Sequence, residues 1–431
     1  MDADVIIIGG GFGGLSTGAL LASKGVNVLL LEKNEVLGGR AKSVDKEGFV
    51  VDNGPHSNRF AADGPAAAVL KSVGQNLEFV KEEGSRSYVY HKRKLVKLPS
   101  SAQEFLTTEL LSEQARAEMV KVLAQMLQEN PDEWYRRTLL EFINKFTNNE
   151  EAREFFRLMG LFIIAPQIEE TSAGEVMYFM QQVHKSAQAM ATPVAGARQI
   201  VEKLSAIIEG RGQIRKGAKV DQILVKQGAV TGVRLGKEVF TSKAVVFTPP
   251  VQHLFSVIEP RHFPATFIHY VRNLIPTSGV GIDFGLGQPV SDLGGGIIDI
   301  DLMVMGNFSS NLDPSLAPKG KQLSSWVMIL PYHQMKRKGT AKNALSQLRN
   351  LISELYPRFF DYVEWQRPQA YPILDGVLLK VGQAYPDRHQ LCSPHVENLF
   401  FAGDTAKAKG CSGDIAFNSA LEVSSLILAS I

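Results

Sequence analysis

The residues with the plainest chemical purpose lie at the two ends of the sequence. Near the start, Gly9, Gly11 and Gly14 give the spacing G-x-G-x-x-G, and Glu32 follows some way on. Gly9 permits a tight turn, Gly11 lets backbone approach a pyrophosphate, and Gly14 lets a helix pack closely on a strand. A helix starting there offers free N–H groups and a positive dipole end to phosphates. An acid at the offset of Glu32 binds ribose hydroxyls and disfavours a 2′-phosphate. In "LGGRA", Gly38 and Gly39 allow a second backbone approach, and Arg40 can neutralise phosphate charge. At the far end, "LFFAGDTAKAKGCSGDIAF" (Leu399 to Phe417) reads as a buried strand, a small-residue turn with Gly403 and Asp404, and a helix starting near Gly413.

Other chemistries find little support. There is no C-x-x-C and no H-x-x-x-H or H-E-x-x-H, and the G-x-S-x-G at Gly14–Gly18 overlaps the glycine turn and its helix, so a metal site or a hydrolase is not expected. Three titratable residues stand in informative places. His56, in "GFVVDNGPHSN", is either a histidine that hydrogen-bonds its own turn or an acid/base beside a cofactor. Asp375, in "YPILDG", reads first as a turn residue before Gly376 and second as an acid facing a substrate. Cys411 follows the terminal strand.

The elements that must hold these residues are legible around them. Val5–Ile8 is a short apolar run, as expected of a parallel strand buried on both faces. Leu15, Leu20 and Leu21 have helical spacing, Gly25 ends that helix, and Val26–Leu31 forms the second strand. Residues 191–250 return to this α/β character. A helix from about Gln199 to Glu209 precedes an alternating run (Val220, Ile223, Val225, Val230, Val233, Leu235), and "AVVFTPP" is another buried strand. Between about 59 and 190 the chain is helical and charged. It contains a hairpin, "SYVYHKRKLVKLP", with a basic tip, and an apolar excess in "EEAREFFRLMGLFIIAPQIEE" that is either core or the lining of a tunnel. From about 265 to 385 strands return, with one helix at about 340–355.

The 431 residues suggest two domains. Hydrophobic content of 45% and a net charge of +2 are ordinary for a globular protein and point to no nucleic-acid partner. Two cysteines make a disulfide framework unexpected and fit a reducing compartment. No signal peptide is read at Met1–Ile8, and no apolar run reaches the ~20 residues of a spanning helix.

Taken together, G-x-G-x-x-G, the acid, G-G-R and a D-x-G-P-H turn resemble the flavoproteins that include phytoene desaturases, protoporphyrinogen oxidases and flavin amine oxidases. In layout the chain is most similar to bacterial and archaeal phytoene-dehydrogenase-like proteins. The resemblance is specific over about 4–58 and 396–430 and looser over about 192–260. It implies non-covalent FAD, since the cysteine of covalently flavinylated amine oxidases precedes the A-G-D strand whereas Cys411 follows it.

Position by position, it carries cofactor contacts to Gly9, Gly11, Phe12, Gly13 and Gly14, to Glu32 and Lys33, and to Gly38, Gly39 and Arg40. It carries them also to Asn53, Gly54 and Pro55, to Val220, to Gly403 and Asp404, and to Gly413, Asp414 and Ile415. Asp404 would accept from ribityl hydroxyls, and the helix at Gly413 would face the flavin N1/O2 edge. Asp414 departs from the small residues of relatives; it either caps the helix or places an unhelpful negative charge near the ring, and the cap is preferred.

The implied fold is α/β. A discontinuous Rossmann-type FAD domain (1–80, 192–264, 386–431) carries an inserted α+β substrate domain (81–191, 265–385) of antiparallel sheet and helical cap. The implied activity is dehydrogenation or desaturation of an apolar, isoprenoid-like substrate by hydride transfer to flavin. A flavin amine oxidase releasing hydrogen peroxide, or a non-redox FAD-dependent isomerase, remains open. A cytoplasmic protein, with peripheral membrane contact as an option, is expected.

Overall fold

The computed structural model describes residues 1–53, 57–81 and 87–431. Its organising element is a five-stranded, all-parallel sheet. The strands are β1 (Val5–Ile8), β2 (Val28–Leu31), β3 (Gln213–Arg215), β4 (Ala244–Phe247) and β5 (Leu399–Phe401). They lie in the spatial order β5-β4-β1-β2-β3. The sequence of β1 is apolar throughout because both faces of the sheet are covered. Val5 and Ile7 meet the helices α1 (Phe12–Ser23), α2 (Ala197–Glu209) and α3 (Gly413–Ser430), through Leu15, Ile200, Leu204, Phe417 and Val423. Ile6 and Ile8 face the opposite way, toward Ile223, Val230 and Val233 of a three-stranded antiparallel meander that spans 222–241. The second strand begins two residues later than its apolar run. The N–H of Val26 is spent on the carbonyl of Leu21 in closing α1, and Asn27 donates its own N–H to Asp4.

A seven-stranded sheet stands apart from the parallel one, with spatial order Val363–Tyr371, Ser278–Leu286, Gln322–Leu330, Val304–Asn307, Ile297–Asp299, Tyr88–His91, Lys94–Lys97. Every neighbouring pair is antiparallel except Ile297–Asp299 with Tyr88–His91, which run parallel. The hairpin read from sequence is its edge. Lys92 and Arg93 turn with positive φ (49° and 61°), as a two-residue type I′ loop demands. The basic tip meets acid, because Arg93 Nε lies 3.3 Å from Glu354.

Helices Glu113–Gln128, Leu139–Asn144, Glu150–Phe162 and Ala173–Lys185 form the cap. The apolar excess of Glu150–Phe162 is core: Phe155, Phe156, Leu158, Met159 and Ile163 are all buried, with only Phe162 and Ile164 half-buried against them. Among the described residues no helix is long and apolar enough to cross a membrane.

Candidate functional site

Three loops converge where the carboxyl ends of β1, β4 and β5 meet, the crevice in which open α/β sheets bind ligands. The turn after β1 and the turn after β5 are in backbone contact. A Cβ on Gly13 would lie 2.9 Å from the Cα of Gly403. Thr248, after β4, ties them together: its Oγ donates to the Ile8 carbonyl (2.8 Å), and a Cβ on Gly403 would strike its own carbonyl oxygen at 2.7 Å. The loop at Gly38 joins from the other side. Its N–H donates to the Gly10 carbonyl (2.8 Å), and a Cβ on Gly39 would lie 3.0 Å from the Cα of Gly11.

Gly11 itself is different. A Cβ there would meet nothing nearer than 3.9 Å, and its φ of −81° suits any residue. Folding does not require glycine at this position, so the open space in front of the first turn of α1 is space for a ligand. Gly413, opening α3, repeats the pattern: its nearest neighbours, Phe12 and Phe417, would stand at an ordinary 3.7 Å. Those two rings stack at 4.8 Å and so clamp the first turn of α1 to that of α3. The N-termini of both helices thus open on one crevice.

The charged side chains are held in place by backbone. Glu32, 5 % exposed, accepts from the Gly10 N–H (2.7 Å) and from both the N–H (2.9 Å) and side-chain amide (2.6 Å) of Asn34. Three of its four lone-pair sites are taken, which fixes the carboxylate and leaves one acceptor site. Asp404 accepts from Arg40 (2.6 Å) and from the Gly376 N–H (2.6 Å), while Arg40 also donates to the Leu374 carbonyl (3.0 Å). Arg40 remains 40 % exposed on its side chain, so it is available to an anion as well as to Asp404. Asn53 is fixed through its N–H to the Lys42 carbonyl, but its buried side-chain oxygen has no partner among the described residues. Lys33 is exposed beside Glu32; Val220 and Ile415 are buried, and Gly9 and Gly14 shape the turn. Gly54, Pro55 and His56 lie outside the described residues.

Asp414 is not the cap. Ser412 occupies that position with φ 51° and makes no capping hydrogen bond, whereas Asp414 lies inside the first turn and is buried. Burial pushes its carboxyl up to about 6, with Arg59 acting in the opposite sense. Asp375 does more than turn the chain. Its N–H donates to Thr277 Oγ (2.8 Å) and its carboxylate accepts from Ser412 Oγ (2.7 Å), so it pins the entrance of α3. Burial, and next the charge of Asp404, raise it above the usual carboxylate range. Cys411 is 3 % exposed and burial pushes its thiol well up, which keeps it protonated and inert.

Several residues that position this end carry no motif. Arg388 and Glu175 form a fully buried pair, and Arg388 also donates to the Ala408 carbonyl (2.7 Å), which anchors the loop leading to α3. His389 packs edge-on against Phe401, with ring centroids 4.9 Å apart, and burial lowers it to about 4. Arg59, Arg388, Glu175 and His389 carried no sequence signal, since the partners of the first three are more than a hundred residues away and His389 packs on another element.

The flavin fits this arrangement: a cradle left open at Gly11, two helix N-termini, a fixed acid at the end of β2 and an orphan acceptor on Asn53. A family model described as flavin containing amine oxidoreductase matches residues 12–428. A phytoene desaturase (neurosporene-forming) of Cereibacter sphaeroides is 26% identical over 296 residues, 61% of this chain and 56% of that protein. The chain thus spans only about half the length of that curated relative. Among solved structures, an oxidoreductase from Methanosarcina mazei superposes with a TM-score of 0.80 at 20% identity, covering 97% of this chain and 99% of that one. Cyclohexylamine oxidase from Brevibacterium oxydans superposes at 0.67 and 16%, covering 100% and 99%. At these identities the superpositions show the shared fold.

Proposed function

The chain belongs to the flavin-containing amine oxidoreductase family, and from that premise we propose that it dehydrogenates or desaturates an apolar, isoprenoid-like substrate. It is an FAD-dependent oxidoreductase. The bound flavin supplies the redox chemistry by accepting a hydride, and the protein supplies binding, orientation and electrostatics. Residues 1–80, 192–264 and 386–431 hold the cofactor in this reading, and 81–191 with 265–385 hold the substrate.

The observation that carries the apolar substrate is one continuous cluster. It runs from Ile415, in the first turn of α3, through Phe60 and Phe179 to the half-buried Phe162, Ile164, Met303 and Met305 of the cap and its sheet. Phe60 and Phe179 stand 6.0 Å apart between the two layers. The half-buried members of that cluster offer dispersion contacts, not charge, to what they bind. An amine substrate would want free aromatic faces. Tyr178 and Tyr385 instead present their rings to Lys409 Nζ, at 5.6 and 5.4 Å.

In this reading FAD is held without a covalent bond, and the protein works in the cytoplasm at the membrane surface where such substrates reside. Electrons then pass to oxygen, a quinone or another carrier. The test is anaerobic photometry of the purified yellow protein against phytoene, a porphyrinogen and a polyamine in turn. Bleaching by phytoene is expected. Bleaching by the polyamine alone overturns the reading in favour of an amine oxidase, and turnover of a carotenoid with no electron acceptor overturns it in favour of an isomerase.

A further inference from the structure

Asp414 brings a carboxylate to the first turn of α3, whose N-terminus opens on the crevice to which the FAD reading assigns the flavin. Its side chain is 9 % exposed and lies 3.8 Å from Nη1 of Arg59. Arg59 stands on the two-residue strand Asn58–Arg59, which pairs with Met190–Ala191. One of its terminal nitrogens donates to the carbonyl of Phe162 (3.0 Å), the last residue of helix Glu150–Phe162, where the helix dipole favours a cation. Its Nε is buried and has no partner among the described residues. The guanidinium therefore faces Asp414 across 3.8 Å without the bidentate hydrogen bonding that would commit it to that carboxylate. The other acids nearby are already engaged. Arg40 and Asp404 pair with each other at 2.6 Å, and Asp375 is held by Ser412 at 2.7 Å.

We infer that Arg59 and Asp414 act as a charge-balancing pair that sets how readily the bound flavin is reduced. A bound flavin that took a hydride (two electrons and one proton) from a substrate would gain one negative charge. Asp414 alone would oppose that charge and Arg59 alone would favour it. At a separation of several ångströms and an effective dielectric near 20, one unit charge changes the reduction equilibrium by about tenfold or more. The inference rests on the FAD reading and adds to it a residue, Arg59, that positions charge without itself reacting.

The test uses the purified holoprotein. Flavin content is measured first, and then the midpoint potential of the bound flavin is read by equilibration with redox dyes at about pH 8, well above the Asp414 value of about 6. Asp414→Asn is expected to raise the reduction equilibrium about tenfold, or ~30 mV for a two-electron couple. Adding Arg59→Gln to that variant is expected to return it to within about threefold of the unaltered protein. Arg59→Lys, which keeps the charge, is expected to stay within the same margin. An unmoved potential in Asp414→Asn with full flavin overturns the pair, as does a double variant that stays tenfold high. Unaltered protein that holds no flavin sinks the FAD reading itself.

Discussion

At the turn after β1, backbone is fitted to backbone; at the turn after β5, buried charges do the fitting. A Cβ on Gly14 would lie 1.9 Å from the Gly9 carbonyl oxygen, and one on Gly13 would press on Gly403. The first turn is thus specified by absent side chains within a few residues of one another. The second is specified by present ones from far away: Arg40 on Asp404, Asp375 on Ser412, Arg59 on Asp414 and Glu175 on Arg388. One end of the crevice is built by what local sequence leaves out, the other by what tertiary structure brings in.

The contrast is broken if the buried charges at the second end prove dispensable. Arg388→Ala leaves Glu175 uncompensated at 2 % exposure and should destabilise the protein by about 3–5 kcal/mol, read by denaturant unfolding. Burial raises Glu175 even with its partner present, so the variant should recover part of that loss at acidic pH, where the carboxyl is protonated.

A smaller effect comes from His389. Its folded value of about 4 lies below the ordinary histidine value, so the unfolded chain binds a proton that the folded protein refuses. Stability is therefore full above about pH 6.5 and falls as pH drops toward 4, by about 3 kcal/mol in all. His389→Gln should flatten that part of the unfolding profile. An unchanged slope would show that His389 is already protonated in the fold.

The smallest effect on stability is expected at the first end. Gly11→Ala should change unfolding by no more than about 1 kcal/mol, since the new methyl meets nothing within 3.9 Å. It should nevertheless strip the protein of flavin. Retained flavin would mean that the space before Gly11 is not the cradle, and collapse of the fold would erase the distinction between this glycine and Gly14.

This difference also explains what could be read in advance. Val5–Ile8, the three glycines and Glu32 lie within one βαβ unit, so period, turn chemistry and spacing were enough to place them. The helix at Thr340–Leu355 and the hairpin at Lys92 and Arg93 were legible for the same local reason. Asp414 was misassigned because position alone could not separate a capping carboxylate from a buried one. The deciding partner, Arg59, is 355 positions earlier. The apolar excess of Glu150–Phe162 went to the core because the cap packs it on more than one side, a fact no helical period contains.

The place of β5 has a consequence for how the protein is made. β1, α1 and β2 are made long before β4 and β5, yet their sheet has β4 beside β1 and β5 on its edge, taken from residues 399–401. Until that late strand arrives, β4 offers an open row of backbone donors and acceptors, and the crevice lacks one wall. Contacts of such long sequence separation form slowly. The crevice can close only once residues 399–401 have joined the sheet, so capture of a cofactor there would report that the long-range pairing has succeeded.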